Sequence, residues 1–299
     1  MLKSLLRRVG AVLGLSLLLG TVPAQARAPQ VAHPALWEVS DPDTTIYLFG
    51  TIHLLPDNVQ WRSDKFNEAL ANSQQLVVET IVDDKNPSKL MAAMASLGFA
   101  NGLPPLVQRV PAAKRPALEA AIKKSGFPPQ AFDRMKTWAA AFILLGNQFR
   151  DLGLKGGQGV EQVLRGEFTT ANKPIGELET NVEQLGFFDK LPESAQLELL
   201  EGAIESGKAT SAELNGMIRA WSRGDVQGIA RTFDHDLSHS PALQQSLLHQ
   251  RNANWSKWIE QRLGQPGTII VAVGAGHLAG KGSVLEMLKK DGYTVRRLQ

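Results

Sequence analysis

The sequence predicts an α/β fold: a single domain with a central mixed sheet, formed by N- and C-terminal strands, and a large helical insertion. Three observations predict this. Short, β-rich apolar segments lie near both ends of the chain, the sequence between them is mostly of helical periodicity, and 43% of all residues are hydrophobic. Strands that alternate with helices at both ends are typical of an α/β domain, and this apolar content is enough for one core.

Residues 1–26 are predicted to be a secretory signal peptide that is not part of the fold. They combine a basic start, an apolar stretch and a small-residue cleavage signal, namely Lys3, Arg7 and Arg8, then Ala11–Leu19, then Ala24-Gln25-Ala26. The apolar stretch is too short for a membrane span, and the chain has no cysteine to carry a lipid anchor. We therefore expect a periplasmic or secreted protein without a membrane anchor, cleaved after Ala26, with an exposed lead-in at 27–35 and the α/β domain at 36–299.

Removing the signal peptide also removes the basic excess of the chain. The whole sequence has 32 basic and 29 acidic residues, and 29 of each remain without Lys3, Arg7 and Arg8. Nucleic-acid binding normally needs clustered Lys and Arg, and this sequence has no such patch. The expected partner is instead a peptide or small-molecule substrate.

The N-terminal elements are predicted to be a β-hairpin followed by a β-α-β unit. Leu36–Val39 and Thr45–Phe49 have the pattern of strands joined by the turn Asp41-Pro42-Asp43. Residues 63–73 have helical spacing and begin at a Ser63 cap, and a strand returns at 75–78. We expect the strands before and after this helix to form a parallel pair.

The middle of the chain is predicted to be helical, with an insertion at about 87–170 and further helices at about 181–263. The individual helices are expected at 88–97, 112–125, 130–152 and 160–166, from 181, 193 and 211 onward, and at 241–263, with a strand at 173–178. Met91, Met94 and Met135 are expected in the core of this region. The chain then ends with a strand at 268–273, a loop, a helix at 283–290 and a strand at 293–297.

Two Gly-x-x-His steps follow the predicted strands at opposite ends of the chain. They are Gly50-Thr51-Ile52-His53 and Gly274-Ala275-Gly276-His277. Each histidine comes just after the carboxyl end of a strand, where open α/β sheets bind their ligands. The two imidazoles can form one metal or acid–base centre if the fold brings the two strands together. Gly50, Gly274 and Gly276 would allow sharp turns or close backbone approach, and the backbone around Gly276 could bind an anion.

Glu79 and Glu179 come at the ends of two further predicted strands. We expect them to lie at the same site as the two histidines. Imidazole and carboxylate are the usual ligands of a borderline divalent metal ion such as Mn, Co or Zn. Such an ion activates water and polarises a carbonyl group, which are the two requirements of hydrolysis. Glutamates at strand ends are also often surface caps or salt-bridge partners.

Arg251 lies on the apolar face of the predicted 241–263 helix, four residues after Leu247 and four before Trp255. A charge on this face is costly unless it meets a carboxylate. Glu79 or Glu179 is the predicted partner, or a substrate carboxylate that the guanidinium binds with two hydrogen bonds. In the alternative, the Arg251 stem packs on Trp255 and its charged group stays in water.

Four sequence blocks, in order, resemble the TraB/PrgY/GumN family. They are Leu36–Ser40 with Tyr47–Pro56 and Leu76–Glu79, then Gly176–Pro192, Arg251–Trp255 and Val271–Leu278. The resemblance runs from about Leu36 to Arg297. It implies an erythromycin-esterase/ChaN-like fold and a relation to the Tiki proteins, which are regarded as metal-dependent proteases of the GX2H type.

The resemblance also implies roles for individual residues. His53, Glu79 and His277 are implied as metal-binding or catalytic residues, and Glu179 and Arg251 as further residues in or next to the site. We assign the metal to His53, Glu79 and His277 and catalytic roles to Glu179 and Arg251. Asn252 and Glu177 are expected to support them. Residues 157–161 differ from the Gly-hydrophobic-Asp pattern frequent in the family, so an acidic role is not carried over to Glu161. The predicted function is a secreted, metal-dependent, peptidase-like hydrolase. The alternative is a non-catalytic periplasmic ligand-binding or signalling protein that binds haem, iron or a peptide in the same cleft.

Overall fold

A computed structural model describes residues 30–52, 55, 58–82, 88–151, 159–204, 207–237 and 240–299. The predicted signal peptide and His53 lie outside the described residues. Among the described helices, none has the length and apolar character needed to cross a membrane.

The strands form a six-stranded mixed sheet and a separate two-stranded parallel pair, β1 with β4. In the described part of the chain the strands are β1 (Gln30–Val31), β2 (Leu36–Ser40), β3 (Thr44–Thr51), β4 (Val59–Gln60), β5 (Gln75–Val78), β6 (Ile175–Glu177), β7 (Gly267–Gly274) and β8 (Val295–Arg297). Their order in the large sheet is β6-β5-β7-β3-β2-β8. Strands from both ends of the chain therefore form the sheet, as the sequence predicted.

The C-terminal strand β7 lies at the centre of the sheet, parallel to β3 on one side and to β5 on the other. The prediction that the strands before and after the first helix pair with each other is therefore wrong, although they do run parallel. Residues 269–273 of β7 are apolar and buried, which suits a central strand covered on both faces. The predicted hairpin of β2 and β3 is present, and its turn is fixed by Asp41 Oδ1, which accepts the Thr44 backbone N–H at 2.7 Å.

Helices cover both faces of the sheet and form the insertion. They are α1 (Asp64–Asn72), α2 (Ser88–Leu97), α3 (Leu106–Arg109), α4 (Arg115–Ser125), α5 (Pro129–Asp133), α6 (Thr137–Asp151), α7 (Val160–Thr170), α8 (Asn181–Asp189), α9 (Glu193–Ala203), α10 (Gly207–Ser222), α11 (Val226–Leu237), α12 (Pro241–Gln244), α13 (Gln250–Leu263) and α14 (Val284–Lys290). Ser63 caps α1 as predicted, because its Oγ accepts the Phe66 N–H at 3.1 Å.

Two predictions for the helical region are wrong. The helix expected at 130–152 is divided into α5 and α6, because Met135 leaves the helical path to form a β-bridge with Phe99. Met91 is 62% exposed and is not a core residue, since Ala93 is the residue that α2 buries. Met94 and Met135 do pack in the helical core.

In the part of the chain that the structure describes, the core has three large parts and a small fourth one around Leu191 and Leu243, and together they form one α/β domain. One face of the sheet packs against α1, α7, α10 and α11, with Phe49, Val78 and Trp221 at its centre. The other face packs against α13 and α14 through residues such as Trp255 and Leu288. The third part lies within the helical insertion, around Trp138. The layers leave the carboxyl ends of β3, β5 and β7 together at one edge of the sheet.

Candidate functional site

The two Gly-x-x-His steps are neighbours in the structure. β3 and β7 pair in parallel with Gly50 opposite Val273 and Thr51 opposite Gly274. A Cβ atom at Gly50 would lie 3.0 Å from Ala275 Cα, so the first motif packs directly against the second. Glycine is needed at this position because the two backbones approach so closely. His53 follows two residues after Thr51 and lies outside the described residues.

The other two motif glycines are also required by close packing. A Cβ atom at Gly274 would lie 3.0 Å from Glu79 Oε1, and one at Gly276 would lie 2.6 Å from the Phe233 ring. Residues Ala275–Leu278 form a short 3₁₀ turn that places His277 in the interior. The structure thus explains Gly276 by its contact with Phe233, while the predicted anion-binding role stays a prediction.

Two buried glutamates meet at the carboxyl ends of β5 and β6. Beyond the strands, the backbone N–H of Glu179 donates to the carbonyl oxygen of Glu79 at 3.0 Å, which extends the parallel pairing by one step. Glu79 Oε1 accepts the Gly274 backbone N–H at 2.7 Å, so the end of β7 fixes this carboxylate. Glu79 is 5% exposed and Glu179 is 6% exposed, which excludes a role as surface caps.

Arg251 joins both carboxylates. Its Nη2 donates to Glu79 Oε2 at 2.6 Å, and its Nε donates to Glu179 Oε1 at 3.0 Å and Oε2 at 3.1 Å. Arg251 is only 7% exposed, so its charged group is not in water as in the alternative interpretation. Its guanidinium carbon also lies 4.6 Å from the centre of the Trp255 ring, a cation–π contact on the same face of α13.

The ring of His277 completes the cluster, and its neighbours determine its tautomer. Asn252 Nδ2 donates to the Gly282 carbonyl oxygen at 2.8 Å, which orients the amide so that its Oδ1 faces His277 Nδ1 at 2.6 Å. Nδ1 therefore carries the proton, because Oδ1 can only accept. On the other side Nε2 lies 3.2 Å from Arg251 Nη1, which can only donate. His277 is accordingly neutral, with the lone pair of Nε2 directed into the site.

We call Glu79, Glu179, Arg251 and His277 the carboxyl-end cluster. Each of these side chains comes from a different element or loop, and none is more than 7% exposed. Burial alone would lower the pKa of Arg251, but the two carboxylates raise it above its ordinary value. Burial raises the pKa of Glu179, although its hydrogen bonds with Arg251 oppose this effect. A raised pKa makes the Glu179 carboxylate a stronger proton acceptor than an exposed glutamate.

Gln184 is a site residue that sequence reasoning missed, and Glu161 is one to which it assigned no acidic role. Gln184 Nε2 donates to Glu179 Oε1 at 3.1 Å and lies 3.4 Å from Glu79 Oε2. The sequence signal that could have identified Gln184 was its position in the first turns of α8, a helix that begins two residues after Glu179. Glu161 is in the first turn of α7, whose Val160 N–H donates to the Ile52 carbonyl oxygen at 3.1 Å.

Glu161 adds a third carboxyl group beside the cluster. Burial, reinforced by the negative charge of Glu79, raises the pKa of the Glu161 carboxyl to about 8, and hydrogen bonding to the Glu79 backbone opposes the shift. The difference from the family pattern at 157–161 therefore did not remove an acidic group from this place. Glu177, by contrast, accepts the Ile81 backbone N–H at 2.7 Å and so holds the turn that carries Glu79.

The imidazole nitrogen and the carboxylate oxygens of the cluster are atom types that bind divalent metal ions. His277 Nε2 and Glu79 Oε1 are 3.7 Å apart. Two ligands of one tetrahedral ion, with bonds of about 2.1 Å, are about 3.4 Å apart. Among the residues that the structure describes, no group of three or more His, Cys, Asp or Glu side chains is arranged to hold a metal ion. His53, the third metal ligand that the resemblance implies, lies outside these residues.

Comparison with known proteins finds a family that this sequence matches. Residues 35–297 match the sequence profile of the TraB/PrgY/gumN family, which is nearly the whole of the described chain. The chain belongs to this family. No solved structure matches the sequence at a significant level.

Similar proteins occur in bacteria. The chain is 27% identical over 272 residues to the uncharacterized protein YbaP of Escherichia coli K12. This alignment covers 90% of this chain and 97% of the relative. It is 22% identical over 270 residues to an uncharacterized protein of Treponema pallidum, covering 85% of this chain and 80% of the relative. A shorter segment of 58 residues is 41% identical to a protein of Amphimedon queenslandica named metalloprotease TIKI homolog, covering 19% of this chain and 11% of the relative.

Proposed function

We propose that this protein is a metal-dependent hydrolase that acts on peptide or amide bonds at the carboxyl-end cluster. The observation that carries the proposal is the orientation of His277: its Nε2 lone pair faces the site, 3.7 Å from Glu79 Oε1, at the carboxyl edge of the sheet. Asn252 fixes the orientation of the His277 ring through its hydrogen bond with Nδ1. Histidines that bind a metal ion are commonly oriented by such a hydrogen bond to their other ring nitrogen. The name of the Amphimedon relative, metalloprotease TIKI homolog, supports the same class.

The charge of the site supports a cation as cofactor. The carboxylates of Glu79 and Glu179 share the guanidinium of Arg251, and Glu161, whose pKa of about 8 keeps it protonated at neutral pH, lies near Glu79 and Arg165. Buried negative charge in excess of positive charge is unfavourable unless a cation or a proton compensates it. A divalent ion supplies that compensation.

The proposed ligands are His53, Glu79 and His277, and the ion would be Mn, Co or Zn. When bound, the metal ion would supply an activated water molecule and polarise the scissile carbonyl group. Asn252 keeps Nδ1 of His277 protonated, so that Nε2 stays a ligand. Glu179 takes the proton of the attacking water, for which its raised pKa suits it. Arg251 then orients the carbonyl oxygen of the substrate.

Elemental analysis and turnover of the purified protein test the proposal together. We expect a bound divalent ion and hydrolysis of a quenched-fluorescence peptide library, both of which are lost in His53→Ala and His277→Ala. His33→Ala is the matched control, because His33 is exposed and distant in sequence from both motifs. Full turnover in both site variants would contradict the proposal.

We also propose that the protein is exported to the periplasm or beyond. The support is the predicted signal peptide at residues 1–26. Mass spectrometry of the protein from fractionated cells should give a mature chain that begins at Arg27. A cytoplasmic protein with an intact N-terminus would contradict export without affecting the proposed chemistry.

A second candidate function is a non-catalytic periplasmic protein that binds haem, iron or a peptide in the same cleft. The observation that favours it is that Arg251 forms hydrogen bonds with both carboxylates and the imidazole, as in a structural ion pair. It predicts binding without turnover. A Soret shift of hemin on addition of the protein, together with no peptide hydrolysis in the presence of metal, would favour this function.

A further inference from the structure

The guanidinium of Arg251 contacts both His277 and Glu79. Its Nη1 is 3.2 Å from His277 Nε2, and its Nη2 is 2.6 Å from Glu79 Oε2. These are the two described side chains proposed as metal ligands. Arg251 is thus a cation that belongs to the chain and already lies between them.

The imidazole cannot serve both cations at once. Because Nδ1 of His277 carries the proton that Asn252 accepts, Nε2 has a single lone pair in the plane of the ring. That lone pair accepts a hydrogen bond from Arg251 in the structure. It would have to be released before it could form a bond to a metal ion, and the positive guanidinium would also repel the ion at this distance.

Arg251 has contacts that would keep it in place after such a release. Its Nε donates to both oxygens of Glu179, and its Nη1 lies 3.4 Å from the Leu247 carbonyl oxygen. Leu247 belongs to a π-helical turn, Gln245–His249, directly before α13. The guanidinium also lies over the rings of Trp255 and Phe187. It can therefore turn away from Glu79 and His277 while Glu179 still neutralises it.

We propose that Arg251 and a divalent metal ion exclude each other on His277 and Glu79, so that the ion binds only as the guanidinium turns onto Glu179. This inference rests on the proposed function. Arg251 then has two roles: it compensates the buried carboxylates while no ion is bound, and it lowers the affinity of the site for the ion. The turned guanidinium remains beside the site, where it can meet a substrate oxygen.

Metal affinity of an Arg251 variant tests the inference without any measurement of turnover. We expect Arg251→Met, which keeps the length of the side chain and removes its charge, to bind Zn²⁺ at least about tenfold more tightly than the wild type. The affinities would be measured by competition with a chromophoric chelator. Arg62→Met is the matched control, because Arg62 pairs with Glu167 at the surface, and it should leave the Zn²⁺ affinity unchanged.

Equal or weaker Zn²⁺ binding by Arg251→Met would overturn the inference while leaving the proposed metal site intact. Absence of Zn²⁺ binding in both proteins would overturn the inference and the metal dependence together. The two failures are therefore distinguishable.

A measurement on the wild type covers the case in which Arg251→Met does not fold. In protein labelled with ¹⁵N-arginine, the buried guanidinium of Arg251 should give a protected signal, assigned by its loss in Arg251→Lys. Saturation with Zn²⁺ should shift this signal and leave that of Arg62 in place. An Arg251 signal that is unchanged at saturating Zn²⁺ would overturn the inference.

Discussion

Asn252 Oδ1 accepts the Nδ1–H of His277 at 2.6 Å, and this single hydrogen bond decides which nitrogen of the ring faces the site. We expect Asn252→Ala to reduce metal affinity about 10- to 100-fold, the usual effect of removing a group that orients a ligand. Asn254→Ala is the control, because Asn254 is exposed on the same helix and should have no effect. Metal titration of both variants measures this, and equal affinities would show that the ring needs no such support.

The buried charge network should contribute far more to stability than a surface pair of the same chemistry. Arg251→Ala leaves two carboxylates without their cation in a position less than 8% exposed, so we expect it to lower the free energy of unfolding by about 3–5 kcal/mol. Arg296→Ala breaks the exposed pair with Glu38 and should cost less than about 1 kcal/mol. Urea unfolding at pH 7 compares them, and similar losses would mean that the network contributes little.

Stability should fall as the pH rises through neutrality, because of Glu161. Its folded pKa, raised to about 8, lies above its ordinary value of 4.5, so the folded chain holds a proton that the unfolded chain has released. The resulting stabilisation is complete below about pH 4.5 and is lost as the pH rises through 8. Since Glu179 is shifted in the same direction, it adds to the same trend.

Glu161→Gln should flatten this dependence, because the amide cannot ionise. Denaturant unfolding between pH 5 and 8.5, in the presence of a chelator, should show a decline of a few kcal/mol at most for the wild type and a smaller one for the variant. Glu167→Gln, at an exposed pair on the same helix, should keep the wild-type slope. If the stability of Glu161→Gln fell with pH as steeply as that of the wild type, Glu161 would not be the source of the pH dependence.

The close contact between Gly276 and Phe233 predicts a specific steric cost. Gly276→Ala places a Cβ 2.6 Å from the Phe233 ring and should lower stability by about 1–3 kcal/mol. Combining it with Phe233→Ala should remove the clash, so that the double variant loses less than the sum of the two single losses. Gly146→Ala is the control, since nothing lies within 4 Å of its Cβ and alanine favours the helix. Thermal unfolding of the four variants checks the additivity.

The strands and the motif positions could be predicted from the sequence because their signals are local. The hairpin, the Ser63 cap and the strand before Gly274 each depend on a few neighbouring residues. The periodicity of the 241–263 segment likewise placed Arg251 on a buried face, and a buried guanidinium needs a carboxylate. The α/β class followed from these elements, and the family from the resemblance of four sequence blocks in their order.

The strand order and the wider site could not be predicted in this way, because they depend on contacts between distant parts of the chain. Nothing local to residues 45–49 or 75–78 indicates that β7 lies between them. Gln184 and Glu161 join the site only because α8 and α7 begin beside β5 and β3. Met91 shows that a local pattern can also mislead, because this apolar residue of α2 is exposed and does not pack in the core.

The central position of β7 determines at which stage of synthesis the carboxyl-end cluster can form. A chain is synthesised from its N-terminus, so β3 and β5 exist long before the strand that must lie between them. Until residues 267–274 arrive, Glu79 lacks the backbone N–H of Gly274, and His277 does not yet exist. A chain that ends before β7 therefore lacks both the Gly274 N–H and His277, and cannot form the complete carboxyl-end cluster.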